Sequence, residues 1–343
     1  MSKTIRIAVD AMGGDLGPRV TIPATLEVAA QSPQLEFILV GDKSQLTSLL
    51  HSQSENTDVS RIKLVHAPVA VTMGDKPSHA LRYKRDSSMW IAVEMVRSGA
   101  ADACVSGGNT GALMAMGRHL LKTFPGIDRP AICKPVPTER GHSYLLDLGA
   151  NINCQAQQLV QFSMMGAVLA ASVDQNPNPS IGLLNIGEEN TKGNDQIQLA
   201  AHLLSQWPQL NYTGYVEGDG IYSGIVDVVV CDGFVGNVAL KVSEGVARFL
   251  TDRVEDIFNV GLYGRLVGRI ARPLLRKWHT QFDPARYNGA SFLGLRGTLI
   301  KSHGGADQRS FTYALRTAIE HVDKQIATCI HDQLATYQGC RRN

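Results

Sequence analysis

Net charge is almost absent from this chain: 33 Lys+Arg stand against 31 Asp+Glu in 343 residues, a formal balance of +2. Bulk nucleic-acid binding, which needs a strongly basic face, has no support, and any charged partner must be met locally. Charged residues of both signs make up only 19% of the chain against 44% hydrophobic, which excludes a disordered polymer. The 33 glycines follow no Gly-X-Y period, which excludes collagen. The six cysteines, at 104, 133, 154, 231, 329 and 340, include no C-x-x-C pair and no Cys/His set at zinc-finger spacing. That pattern reads as a reduced, cytoplasmic protein. Asp10 cuts the apolar run that ends at Val9, so a signal-peptide core is not expected. The longest stretch without a formal charge, 148–173, holds Asn151, Asn153, Gln155, Gln157, Gln158 and Gln161, which would lack partners in lipid, so no transmembrane helix is expected there.

Several catalytic signatures are missing as well. No loop matches Walker A or G-x-G-x-x-G, no His pair at i,i+4 carries a Glu, and no G-x-S-x-G elbow or S-x-x-K set has the expected context. Neither a metal nor a cofactor is implied, and covalent catalysis has no candidate nucleophile. Cys104 and Cys231 end strands near glycine loops, where small buried core residues are the commoner role.

What the sequence does contain is an alternation of short β-rich runs with longer helical patterns. Strands are expected at 5–9, 37–40, 62–65, 103–105, 144–148, 181–186 and 226–231. Helices are expected at 20–31, 76–98, 110–123, 155–173, 194–206, 237–259 and 307–336. The pattern predicts an α/β fold, a largely parallel sheet with helices on both faces. No linker-like tract divides the chain, so residues 1–336 are read as one two-lobed catalytic domain, including a helical segment at 237–290, with 337–343 as a tail. One internal echo stands out: Asp102-x5-Gly108-x-x-Gly111 and Asp227-x5-Gly233-x-x-Gly236 both run from a strand through a glycine turn into a helix. Any tight βα unit produces that pattern, and both loops would end at the carboxyl edge of the sheet, where ligands of open α/β folds bind.

Three glycine clusters each follow a candidate strand and precede a candidate helix. They are Asp10-Ala-Met-Gly13-Gly14-Asp15, Ser106-Gly107-Gly108-Asn109-Thr110-Gly111 and His303-Gly-Gly-Ala-Asp307. Glycine lets backbone approach a ligand, and a helix N-terminus offers free N–H groups to an anion, so three such loops together point to phosphate binding. Arg82 and Lys84, after a Pro turn near a helix start, are either a further anion-binding pair or an ordinary solvated face. Two more segments end strands: Gly187-Glu-Glu-Asn-Thr-Lys192-Gly193-Asn194, which brings a mobile cation to the sheet edge, and Asp232-Gly-Phe-Val-Gly236-Asn237, where Asn237 is placed as the residue that opens the helix. Farther on, residues 262–279 contain no acidic residue, and Arg265, Arg269, Arg272 and Arg276 fall on one helical face beside Leu266, Ile270, Leu274 and Trp278, with Pro273 interrupting. Such a stretch suits an anionic membrane, an acidic protein or a packing partner.

Taken together and in order, Ile7-Ala-Val-Asp-Ala-Met-Gly-Gly-Asp15, Ser106-Gly-Gly-Asn-Thr-Gly111, Lys192-Gly-Asn194, Asp232-Gly-Phe-Val-Gly-Asn237 and the His303-Gly-Gly loop resemble the bacterial phosphate acyltransferases, the acyl-ACP:phosphate transacylases of phospholipid synthesis. The match spans nearly the whole chain. Two departures are a late loop reading His-Gly-Gly-Ala-Asp for the expected His-Gly-Ser-Ser-Asp, and Lys76 where an acidic residue is common.

The resemblance implies a fold similar to isopropylmalate dehydrogenase, a homodimer, and reversible transfer of a long-chain acyl group from acyl carrier protein to inorganic phosphate, giving acyl phosphate. It implies Lys192 and Asn237 as the catalytic pair. Substrate contacts are expected from Asp10, Gly13, Gly14, Asp15, Arg82, Lys84, Ser106, Gly107, Gly108, Asn109, Thr110, Asn194, Gly236 and His303. The basic stretch would serve docking to acyl carrier protein or peripheral association with the inner face of the membrane, where an acyl-phosphate-using glycerol-3-phosphate acyltransferase would take the product. The rival readings are a short-chain enzyme using coenzyme A esters, a metal-dependent decarboxylating dehydrogenase suggested by fold analogy alone, and a non-enzymatic scaffold for acyl carrier protein.

Overall fold

The computed structural model describes residues 4–54, 58–259, 263, 266–271 and 284–340. Its strands are β1 (Ile5–Asp10), β2 (Leu35–Gly41), β3 (Ile62–His66), β4 (Ala103–Ser106), β5 (Ala131–Thr138), β6 (Gly141–Leu146), β7 (Ser180–Leu184), β8 (Asn211–Val216), β9 (Val228–Val230), β10 (Ala290–Leu293) and β11 (Thr298–Lys301). All belong to one sheet in the order β3-β2-β1-β4-β11-β10-β5-β6-β9-β7-β8. The first five are mutually parallel, and so are the last four. Antiparallel pairings at β11/β10, β10/β5 and β5/β6 join the two runs and leave them pointing in opposite directions.

Residue alternation along the strands sorts the core. On one face a cluster including Ala8, Cys104, Leu299, Phe292, Ile132, Leu145 and Val229 crosses the whole sheet. On the other face the core splits into a first-lobe cluster around Val9, Phe37, Val105 and Ile300 and a second-lobe cluster around Cys133, Leu146, Phe162 and Ile181. Phe37 and Phe162 are fully buried, each contributing about 1.5–3 kcal/mol.

The helices are α1 (Pro18–Gln31), α2 (Lys43–Gln53), α3 (Pro77–Tyr83), α4 (Ser88–Arg97), α5 (Thr110–Leu120), α6 (Ala156–Asp174), α7 (Asp195–Ser205), α8 (Gly233–Asn259), α9 (Gln308–Asp323) and α10 (Ile326–Cys340); residues 266–271 are also helical. Helix α2 was not expected from the sequence, and three of the expected helices differ from their reading. The expected helix 76–98 is two, because Ser87 caps α4, accepting from the Trp90 N–H at 3.3 Å, and its backbone bridges to Val69. The expected helix 307–336 breaks at Gln325, whose φ is 51°. The helix expected from 237 starts at Gly233, with Asp232 capping it by accepting from the Val235 N–H at 2.9 Å. Asn237 therefore does not open the helix, and its amide is released from capping duty.

The internal echo is structural at the start of both strands. Asp102 accepts from the Arg6 N–H at 2.9 Å, and Asp227 accepts from the Ser180 N–H at 2.7 Å, each clamping the neighbouring parallel strand. Among the described residues no helix is long and apolar enough to cross a membrane.

Candidate active site

Three of the glycine loops press on one another at the carboxyl ends of β1, β4 and β11. The Asp15 N–H donates to the Gly304 carbonyl at 2.9 Å, and the Ser302 N–H to the Ser106 carbonyl at 2.9 Å. A Cβ on Gly13 would stand 2.5 Å from Asp10 Oδ2 and 2.8 Å from the Gly108 nitrogen, so a side chain there forces the loops apart. Gly14 adopts φ 93°, the left-handed region that favours glycine.

Asp10 anchors this cradle from below. It is 1% exposed and accepts from the Ser88 and Ser106 hydroxyls, each at 2.6 Å. Burial raises its pKa, while the two hydroxyls and the charge of Lys301 oppose the rise. Lys301, also buried, donates its Nζ to the Gly107 carbonyl at 3.2 Å and to the Ser302 carbonyl. Burial brings its pKa down to about 8, against the pull of Asp10. His303 takes its N–H bond to Asn288 Oδ1 at 2.9 Å and accepts from the Gly305 N–H through Nδ1 at 3.1 Å. Desolvation and the charges of Lys241, Lys301 and Lys134 hold its pKa below the usual histidine range, with Glu244 opposing.

The second lobe is built differently. Asp147, at the end of β6, is buried and accepts from the N–H groups of Ile132 (2.9 Å), Ala150 (3.1 Å) and Asn151 (2.7 Å). This holds the turn that carries Gly149, where a Cβ would lie 3.6 Å from the Asn237 side chain. Gly236 packs against the same turn, and a Cβ there would reach 2.0 Å from the Asp147 carbonyl oxygen. Asn237 itself is exposed on α8. Lys192 stands exposed on a separate loop, tied down by the Asn185 amide, which donates to the carbonyls of Gly187 (3.1 Å) and Lys192 (3.3 Å). Asn194 caps α7, accepting from the Ile197 N–H at 3.0 Å.

The structure thus gathers Asp10, Gly13, Gly14, Asp15, Ser106, Gly107, Gly108 and His303 at one place. Asn109 caps α5 and donates to the carbonyls of Met73 (2.8 Å) and Asp75 (3.0 Å), while Thr110 is exposed at the helix start. Lys84 is turned to Asp75 at 2.6 Å and the Ala70 carbonyl at 3.0 Å; Arg82 is exposed. Arg269 is exposed beside Leu266 and Ile270, and Arg265, Arg272 and Arg276 lie outside the described residues. Cys104 and Cys231 are buried, and burial drives both thiols well above their usual pKa, which disfavours a thiolate nucleophile.

Sequence reasoning gave no role to Ser88, Lys301, Lys134, Lys241 or Glu244. Lys301 had a readable signal, a lysine directly after Leu299 and Ile300 and two residues before His303 of the His303-Gly-Gly loop. Lys134 was hidden by Pro135 and Pro137, which argue against a central strand. In the structure β10 pairs with β5 only at 131–133, so both prolines fall where β5 is paired with β6 alone.

A sheet of this kind, with glycine loops at its strand ends, is a fold found in other solved proteins. It is shared with a phosphotransacetylase from Streptococcus pyogenes, at 16% identity and TM-score 0.63 over 94% of this chain and 95% of the other. A 4-hydroxythreonine-4-phosphate dehydrogenase from Burkholderia phymatum is also similar, at 16% identity and TM-score 0.52 over 93% and 98%. Residues 5–329 match the model of the family described as fatty acid synthesis protein. A phosphate acyltransferase of Ectopseudomonas mendocina is 52% identical over 97% of this chain and 98% of its own. The chain belongs to this family, the phosphate acyltransferases of fatty acid and phospholipid synthesis, and is an acyltransferase.

Proposed function

We propose that the protein transfers a long-chain fatty acyl group from acyl carrier protein to inorganic phosphate, releasing acyl phosphate. The observation that supports it most is the convergence of three glycine loops at strand ends above the buried Asp10 and Lys301, where residues without side chains let an anion approach the backbone. Phosphate near neutral pH is already an anionic nucleophile, and the leaving thiol has a reference pKa of about 8.5, so little acid–base assistance is needed. A phosphate oxygen forms a bond to the thioester carbonyl carbon, and the carbonyl oxygen becomes an oxyanion. As that charge returns, the C–S bond breaks and the thiolate leaves to take a proton from solvent. Positioning and charge stabilisation dominate such a step. In this reading Lys192 and Asn237 orient phosphate or stabilise the oxyanion. The freedom of Asn237 from capping and its exposure beside Gly149 support that role.

The basic stretch around Arg269 docks the acidic carrier protein or an anionic membrane face, and the working unit is a homodimer. The deciding assay is thiol release from palmitoyl acyl carrier protein with and without inorganic phosphate, trapping acyl phosphate as hydroxamate. Phosphate-dependent release with hydroxamate supports the reading. Reaction of acetyl coenzyme A alone would replace it with the short-chain activity, and reaction of neither donor would end it.

A further inference from the structure

The strand registers place a line of polar side chains across the middle of the sheet. Asp10 pairs with Ser106, Ser106 with Lys301, and Lys301 with Ala290. Ser291 pairs with Cys133, so one step along the same ladder sets Ala290 opposite Lys134. Directly paired residues share a face, so Asp10, Ser106, Lys301, Ala290 and Lys134 all point to the side occupied by the core cluster that crosses both lobes. Their neighbours two positions away, Ala8, Cys104, Leu299, Phe292 and Ile132, belong to that cluster. Strands lie about 4.8 Å apart, so Lys301 and Lys134 flank Ala290 at roughly 10 Å between their backbones. The residue between the two cations, Ala290, is the smallest in the line.

Helix α8 lies on this side of the sheet, with Ala239 and Leu240 packed on the same core cluster and Glu244 reaching Lys134. Asn237, Lys241 and Glu244 stand at i, i+4 and i+7, one stripe of the helix. Glu244 divides its carboxylate between Lys241 Nζ at 2.9 Å and Lys134 Nζ at 3.7 Å. The charge of Lys241 is felt at both Lys301 and His303. Three lysines from β11, β5 and α8 therefore face one space at the base of the glycine loops, and a single glutamate neutralises two of them.

We infer that this space, floored by Ala290 and walled by Lys301, Lys134 and Lys241, is the subsite for the inorganic phosphate co-substrate, with Glu244 holding two of the lysines in place. The assignment rests on the reading of phosphate as the acyl acceptor. It also explains why Asn237 sits where it does: one turn along α8 from Lys241, it reaches the acyl carbonyl while the lysines hold the attacking anion.

The test uses the full chain. Thermal unfolding is followed with rising inorganic phosphate and no acyl donor, and phosphate KM is measured with saturating acyl carrier protein thioester, for wild type, Lys134→Gln and Lys241→Gln. A ligand that binds only the folded state raises Tm, so wild type should show a phosphate-dependent rise that both variants lose. Phosphate KM should increase about 10- to 100-fold, as for removing one charged hydrogen-bond donor, while KM for the acyl donor stays within about twofold. Lys241 is half exposed on a helix, so Lys241→Gln decides the matter if Lys134→Gln does not fold. Wild-type phosphate affinity and KM in a folded Lys241→Gln would overturn the subsite. Absence of phosphate-dependent release from wild type would instead overturn the acceptor itself.

Discussion

The two lobes each carry a buried aspartate at a strand end, and each uses it differently. Asp10 is held by two serine hydroxyls and faces Lys301, and above it three loops from distant parts of the chain are locked together. Asp147 accepts mainly backbone N–H groups of its own turn and stabilises a platform for Gly149 and Asn237. The first lobe is a set of interlocked loops, whereas the second presents exposed side chains, Asn237 and Lys192, on separate elements. On the proposed reading, the rigid first lobe suits binding, and the exposed groups of the second suit contact with the acyl donor.

That contrast can be broken from either side. The largest effect is expected at the second lobe's exposed groups: Asn237→Ala and Lys192→Ala should each lower turnover by about 10²-fold, as for an oxyanion donor, with unfolding midpoints unchanged. Near-normal turnover in both would remove them from the chemistry. In the first lobe Gly13→Ala should instead cost about 1–3 kcal/mol of stability by overpacking, read from urea denaturation, and Ser88→Ala should cost a similar amount by leaving Asp10 short of a donor.

A pH series sharpens the difference further. Lys301 has a folded pKa of about 8 against a usual 10.5. Its cation is present at pH 7 and lost as pH rises through 8, among the facing charges of Asp10, Asp15 and Lys241, so phosphate KM should climb between pH 7 and 9. Phosphate affinity thus falls while protein stability rises, since between pH 8 and 10.5 the unfolded chain binds the extra proton and stability increases with pH. The smallest effect is at Gly245, where an added Cβ meets nothing within 4 Å in helix α8. Gly245→Ala should stabilise by about 0.5–1 kcal/mol without touching turnover.

Much of this was readable from residue order. The parallel strands 5–10, 103–106 and 180–184 announced themselves as apolar runs before glycine turns, and the three loops that meet around Asp10 were each visible as a motif. Their convergence was not, because it depends on β11, a four-residue strand that returns from the end of the chain to pair with β4. Strand β8 was lost to Gly214, which adopts φ 114° beside a register shift in its pairing with β7. Strand β5 was lost to its prolines. The Ser88–Asp10 bond joins residues 78 apart in sequence, and no local spacing reports it. The helix boundary at Gly233 mattered most: reading Asn237 as a cap hid that it shares a stripe with Lys241 and Glu244.

The polar line from Asp10 to Ala290 lies on consecutive strands of one hydrogen-bonded ladder, and Lys134 stands one residue beyond the last β10/β5 pair. Enzymes with two lobes often open like a jaw, with the substrate admitted as the halves swing about a loop. Here the floor between the lobes is the sheet itself, so the spacing of its lysines follows from the strand pairings. Entry and exit must then be governed from the roof, by α8 and the loops around Gly14, Gly149 and Lys192, while the floor keeps a fixed gauge through every turnover.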